Sequence, residues 1–204
     1  RYMPDLVSEF MGLHPGLHVD IHLADHMVDL VAEGFDMAIR ITRLKDSSLI
    51  ARKLADFNGY VVASPGYIAE HGEPKHPTEL ANHRTLAYTN LPSPNVWEFE
   101  GAEGQINVRV NPVMSCNNGD FTSFAAIRGL GIAREPEFIV AEALQKGSLV
   151  EILKEYNSLA SGGIYAVYPE RRHLPTKVRI FIDFLVEKFR GGLCNFHKTM
   201  YPVD

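Results

Sequence analysis

The sequence predicts an α/β protein of two lobes joined by two crossover strands. Three observations carry that expectation. Helical and apolar extended segments alternate along the chain, an order that builds parallel sheets. Two strands stop at a proline after small and apolar residues: Val61-Val62-Ala63-Ser64-Pro65 and Tyr165-Ala166-Val167-Tyr168-Pro169. Proline cannot donate to a sheet ladder, so each strand should end there. Finally, Leu30 to Arg40 reads as a helix end, a glycine stop at Gly34, a short buried strand over 35–39 and then a charge. The lobe boundaries that follow are 1–64 with 168–204, and 65–167.

Each element has its own signal. Leu6, Val7, Phe10 and Met11 fall at helical spacing behind Pro4, so 4–13 is a helix that His14-Pro15-Gly16 breaks. Leu17, Val19, Ile21 and Leu23 alternate with His18, Asp20 and His22, the pattern of a half-buried strand. Asp25 can cap a helix over 26–33, and the strand over 35–39 follows, placing Arg40 and Thr42 just past its carboxyl end. Residues 47–54 are extended, 60–63 form an apolar strand, and 66–72 form a short helix closed by Gly72. A proline-rich stretch over 73–96 holds one helical turn at 78–80. Trp97–Phe99, the Gly101–Gly104 turn and Ile106–Val110 make a hairpin. A polar stop, Ser115 to Asp120, precedes a helix over 121–128 that ends at Gly129-Leu130-Gly131. Ile132-Ala133 is a short strand closed by Pro136, 137–144 is a helix stopping near Gly147, and 149–153 is extended. Ile164–Tyr168 is a buried strand. The last helix starts near Thr176 with Val178, Phe181, Ile182, Phe184, Leu185 and Phe189 on one broad face.

Composition narrows the function classes. With 46% hydrophobic and 22% charged residues the chain is an ordinary globular protein. Its formal net charge of -5 lacks the basic excess of a free-standing nucleic-acid binder. Cys116 and Cys194 form no CxxC and no close pair, which suits a reducing compartment, here the cytoplasm. No apolar run approaches the ~20 residues that span a bilayer, and no signal-peptide pattern opens the chain. His14, His18, His22 and His26 recur every fourth residue, yet Pro15-Gly16 forbids one continuous helix. On a strand, His18 and His22 would stand ~13 Å apart, too far for one metal ion. GxSxG, HExxH and phosphate-binding glycine loops are missing, so the reading is non-enzymatic, with no metal and no cofactor.

At this point the residues carry a family likeness. The ordered set Glu33-Gly34-Phe35-Asp36-Met37-Ala38-Ile39-Arg40, Ser47 to Leu54, Ala63-Ser64-Pro65-Gly66-Tyr67-Ile68, Pro77 to His83, Gly129 to Ala133 and Val178 to Leu185 resembles the effector-binding domain of LysR-type transcriptional regulators, over roughly residues 1–190. The resemblance implies two Rossmann-like lobes of the type 2 periplasmic-binding-protein kind, with a small effector, often an organic anion, held in the interlobe cleft. It implies homodimers or tetramers, and DNA contact only through an N-terminal helix-turn-helix that this sequence does not contain. The domain's first strand, expected just before Arg1, is also not in the sequence. A transport-type solute-binding protein of the same fold is the alternative.

The expected effector contacts combine that likeness with the rule that open α/β sheets bind ligands at strand carboxyl ends. Arg40 and Thr42 would supply a cation and a hydroxyl. Ser64 and Pro65 would form the first crossover. Cys116, Asn117, Asn118 and Gly119 open a helix whose N–H groups attract anions. Arg134 follows a strand, with a surface ion pair to Glu135 or Glu137 as its bland role.

Overall fold

The computed structural model describes residues 2–24, 28–42, 49–170 and 174–190. In chain order the elements are α1 (Met3–Leu13), β1 (Ala38–Thr42), β2 (Leu49–Ala63), α2 (Pro65–His71), a 3-10 turn (Pro77–Asn82), β3 (Thr85–Tyr88), β4 (Val96–Gly101), β5 (Gly104–Arg109), β6 (Pro112–Cys116), α3 (Gly119–Ile127), β7 (Ile132–Pro136), α4 (Glu137–Gln145), β8 (Val150–Glu151), β9 (Asn157–Pro169) and α5 (Thr176–Lys188). They form two compact units: residues 1–57 with 162–204, and residues 58–161. The chain passes between them inside its two longest strands, β2 and β9.

In the first unit α1 buries Leu6, Val7 and Phe10, and α5 buries Val178, Ile182 and Leu185. The Phe10 ring sits 4.7 Å from Phe181 and 5.3 Å from Phe184, so the helices meet through aromatic packing. β1 pairs antiparallel with β9, from Ala38 opposite Val167 to Thr42 opposite Gly163.

Four expectations for this unit are corrected. The alternating segment 17–24 forms no strand; Leu17 and Val19 are half-buried, but Ile21 is 57% and Leu23 89% exposed. Alternation only offers a face, and a strand also needs a neighbour to satisfy its N–H and C=O groups. Residues 28–34 form a turn rather than the end of a helix, while Asp25 and His26 lie outside the described residues. The cap comes from Asp29, whose Oδ1 accepts from the amides of Val31 and Ala32 at 3.0 and 3.1 Å. Gly34 closes the turn with φ 75°, a conformation that favours glycine. The following strand is displaced toward the C-terminus, to Ala38–Thr42, so Arg40 and Thr42 lie within β1 and not beyond it. The residues before it serve the turn, and Asp36 is tied to Lys177 at 2.6 Å. β1 is also antiparallel to its partner, where the order of elements had suggested a parallel sheet.

The second unit is where parallel pairing appears. β3 lies between β6 and β7 and runs parallel to both. β2 closes against β7 in the antiparallel sense, with Gly59 opposite Pro136 and Val62 opposite Ala133. β4 and β5 form the expected hairpin, in register from Val96–Arg109 to Gly101–Gly104. The period-two alternation of the central strands fills two cores. Val61, Ala63 and Ile132 join Tyr67, Leu80, Trp97, Phe99 and Val108 in one. Val62, Leu86 and Ala133 join Ala125, Ala126, Val140 and Ala143 of α3 and α4 in the other. Strands buried on both faces read as continuous apolar runs, which is why 60–63 and 132–133 stood out in the sequence.

Candidate functional site

The parallel strands β3, β6 and β7 of the second unit end on the same side, at Tyr88, Cys116 and Pro136. Because β2 is antiparallel to β7, that side is also where β2 enters the unit, at Gly59 opposite Pro136. Four of the nine expected contacts gather at this edge, Cys116, Asn117, Asn118 and Gly119, while Arg134 lies two residues back from the end of β7, opposite Val61.

α3 starts here because Asn118 stops the strand and caps the helix. Its backbone is extended and its Oδ1 accepts from the Phe121 amide at 3.0 Å. The first-turn amides of Gly119 and Asp120 have no partner inside the helix, as in any α-helix. Asn117 and Asn118 are exposed, and Cys116 is half-buried with its thiol 3.9 Å from Asn117 Oδ1. Thr89 N donates to Cys116 O at 2.9 Å and ties the loop after β3 to the end of β6. Arg134 is half-buried, and its guanidinium stacks over the Trp97 indole at 5.3 Å from the ring centre. A cation held over an aromatic face keeps its charge while losing side-chain freedom.

Ser64 and Pro65 are not at this edge. They follow the far end of β2, beside Gly129, where a Cβ would stand 3.5 Å from Ser64 Oγ. Ser64 is 6% exposed and its Oγ accepts from Tyr67 N at 3.2 Å, so it is the N-cap of α2. The strand between the two ends explains the separation: from Gly59 to Ala63 is ~13 Å. The chain enters the second unit at 57/58, seven residues earlier than the proline suggested, because proline ends a strand and says nothing of where a strand changes unit.

In the first unit Arg40 is half-buried, with Nη2 donating to Val28 O at 2.8 Å. It therefore braces the 28–34 turn. Thr42 ends β1 opposite Gly163, the second residue of β9 to belong to this unit.

Sequence reasoning missed three groups at the second unit's edge. Tyr88 ends β3, a strand hidden in the proline-rich stretch, and Asn90 follows it; Asn90 Nδ2 reaches Tyr88 OH and Asn117 O, each at 3.5 Å. Glu135 was read as a surface partner of Arg134, yet it is 2% exposed. Its Oε1 accepts from Thr122 Oγ1. Burial, with help from Asp120, pushes its pKa up from 4.5 to about 8, against the Thr122 bond and Arg134. The available signal was a charge inside a run of apolar and small strand residues.

The two units, the parallel strands and the two crossing strands define an α/β regulatory domain of the type 2 periplasmic-binding kind. The chain matches the family model of the LysR substrate binding domain over residues 1–190, and it belongs to that family. It is 38% identical over 169 residues to an uncharacterized HTH-type transcriptional regulator of Haemophilus influenzae, covering 83% of this chain and 58% of that protein. It is 32% identical over 189 residues to the HTH-type transcriptional regulator CrgA of Neisseria meningitidis, covering 93% and 63%. The chain thus spans about three fifths of the length of these relatives. Among solved structures, the CrgA regulatory domain superposes with a TM-score of 0.80 at 31% identity over 91% of each chain. Full-length AphB of Vibrio cholerae, a virulence activator, gives 0.79 at 31% identity over 92% of this chain and 63% of that one. These relatives are transcriptional regulators, not transport proteins. No helix among the described residues is long and apolar enough to cross a membrane.

Proposed function

We propose that the chain is the sensing part of a bacterial, cytoplasmic, DNA-binding regulator, capturing a small organic anion and performing no catalysis of its own. The observation that carries the anion reading is the second unit's strand-end edge. The first turn of α3 supplies positive potential there, and Arg134, two residues back on β7 and stacked over Trp97, adds a cation to the same unit. Cys116, Asn117, Asn118, Gly119 and Arg134 are the proposed contacts in that unit. Arg40 and Thr42 are the proposed contacts in the first. Ser64 and Pro65 are assigned to capping α2 instead.

In this reading the full-length protein is a dimer or tetramer that reaches DNA through a helix-turn-helix. The effector acts by binding one subunit arrangement better than another, and it can shift the balance only by that difference in affinity. Thermal-shift and calorimetric screening against small aliphatic and aromatic carboxylates tests the sensing role. Some members of the panel should raise the melting temperature, and Arg134→Ala should weaken their binding by about 1.5–3 kcal/mol, the range for a bond to a charged group. A folded chain that binds nothing across the panel would contradict the proposal.

A further inference from the structure

Between α4 and the β2–β8 pair of the second unit lies a groove of about 410 Å³ that the effector reading does not use. Its walls follow from local geometry. Glu137, Ala141 and Leu144 stand at positions i, i+4 and i+7 of α4, so they share one helix face. On the strand side, Glu151 of β8 is registered opposite Val62 of β2, and the side chains of such a pair point to the same face of the sheet. Tyr60, two residues before Val62, faces the same way. Val62 packs in one core with Val140 and Ala143 of α4, which puts Tyr60 and Glu151 on the α4 side of the sheet. Neither residues 116–119 nor Arg134 line this groove.

The walls carry a charge that they do not neutralise. Glu137 and Glu151 are half-buried, and the cation lining the groove with them is Lys154, an exposed side chain. Among the described residues neither carboxylate makes a hydrogen bond or an ion pair. The nearby Glu142 differs: it is tied to Lys146 at 2.5 Å, and both side chains are exposed. Burial raises the Glu151 carboxyl above its ordinary value, and Lys154 offsets this only in part. Glu137 stands in the first turn of α4, where the helix dipole accommodates a negative charge. The rest of the lining is apolar or aromatic, and an ammonium over the face of a ring such as that of Tyr60 is attracted to it. Small-molecule sites have this make-up, an apolar surface of a few hundred Å³ with a few convergent polar groups.

We propose that this groove binds a small organic ammonium, its charged head facing Glu137 and Glu151 and its aliphatic or aromatic body lying along Ala141, Leu144 and the Tyr60 ring. Two acids against one base select a cation over an anion. A bare metal ion is a poor occupant, because no group of three metal-ligating side chains comes together among the described residues. An ammonium with an apolar body satisfies both kinds of wall at once. The site takes the opposite charge from the proposed effector and uses none of its residues, so it does not rest on that reading.

The experiment titrates the 15N-labelled 204-residue chain at neutral pH and constant ionic strength with 2-phenylethylamine. The comparator is 3-phenylpropionate, which carries the same body on a carboxylate. The proposal predicts saturable backbone amide shifts at Tyr60 and over 141–151, with a dissociation constant of about 1 mM or tighter for so small a probe. The carboxylate comparator should leave those amides unmoved. Glu151→Gln, which removes a charge, and Ala141→Leu, which fills the groove without changing its charge, should each weaken amine binding by about fivefold or more. Amine shifts at these amides that do not saturate would overturn the proposal. So would equal binding of the two probes there, or unchanged amine affinity in both variants. If one variant does not fold, the other variant and the preference of the unaltered chain for amine over carboxylate decide.

Discussion

The two units use apolar residues differently. In the second, Val61 and Val62 point to opposite faces of one strand and both are buried, one in each core. In the first, Ile21, Leu23, Val31 and Ile41 are 57%, 89%, 67% and 51% exposed, although Ile21 and Leu23 belong to an alternation that reads as half-buried. The difference teaches that periodicity marks what a segment could bury, whereas pairing and packing decide whether it does. Strands β2, β3, β6 and β7 satisfy one another; residues 17–24 have no strand partner among the described residues.

The comparison can be sharpened by mutation. The largest effect should come from removing an aromatic anchor from either unit. Phe99→Ala and Phe10→Ala, at residues 0% and 2% exposed, should each cost about 3–5 kcal/mol by denaturant unfolding. If the units unfold separately, each change should shift only its own transition. Gly131→Ala should come next. Its Cβ would lie 2.6 Å from the Arg84 carbonyl oxygen, which also accepts from Ile132 N at 2.8 Å, so β3 and β7 must part. A loss of about 1–3 kcal/mol, confined to the second unit's transition, is the expected cost of such overpacking.

A smaller change of opposite sign tests the same sheet. Thr85 is fully buried and its Oγ1 has no hydrogen-bond partner among the described residues. Thr85→Val removes that unmet group at nearly constant shape and should stabilise the second unit by about 1 kcal/mol. The smallest effect belongs to the first unit: Leu23→Ser should alter stability by less than about 0.5 kcal/mol, because the side chain is already in water. A loss as large as a core change would mean that Leu23 is covered in solution.

Most of the second unit was legible in the sequence. Asn118, the proline after 60–63, and Gly72 and Gly147 gave starts and stops that local backbone chemistry enforces. β3 and β6 were not legible, because strands of four and five residues among prolines carry no period. The candidate site divides along the same line. Residues 116–119 were readable as a helix start, and Arg134 as a charge near a strand end. That Ser64 follows the other end of β2 from residues 116–119 was not legible, because chain order cannot show that β2 runs against β7. Glu135 was overlooked because a charge beside an arginine looks like a surface pair until burial is known.

The most direct test of the account is a backbone amide titration of the 15N-labelled chain with the carboxylates that raise its melting temperature. The account predicts shifts concentrated at 116–121 and at Arg134, weakened in Arg134→Ala. Shifts centred instead on Ser64–Tyr67, at the other end of β2, would contradict it.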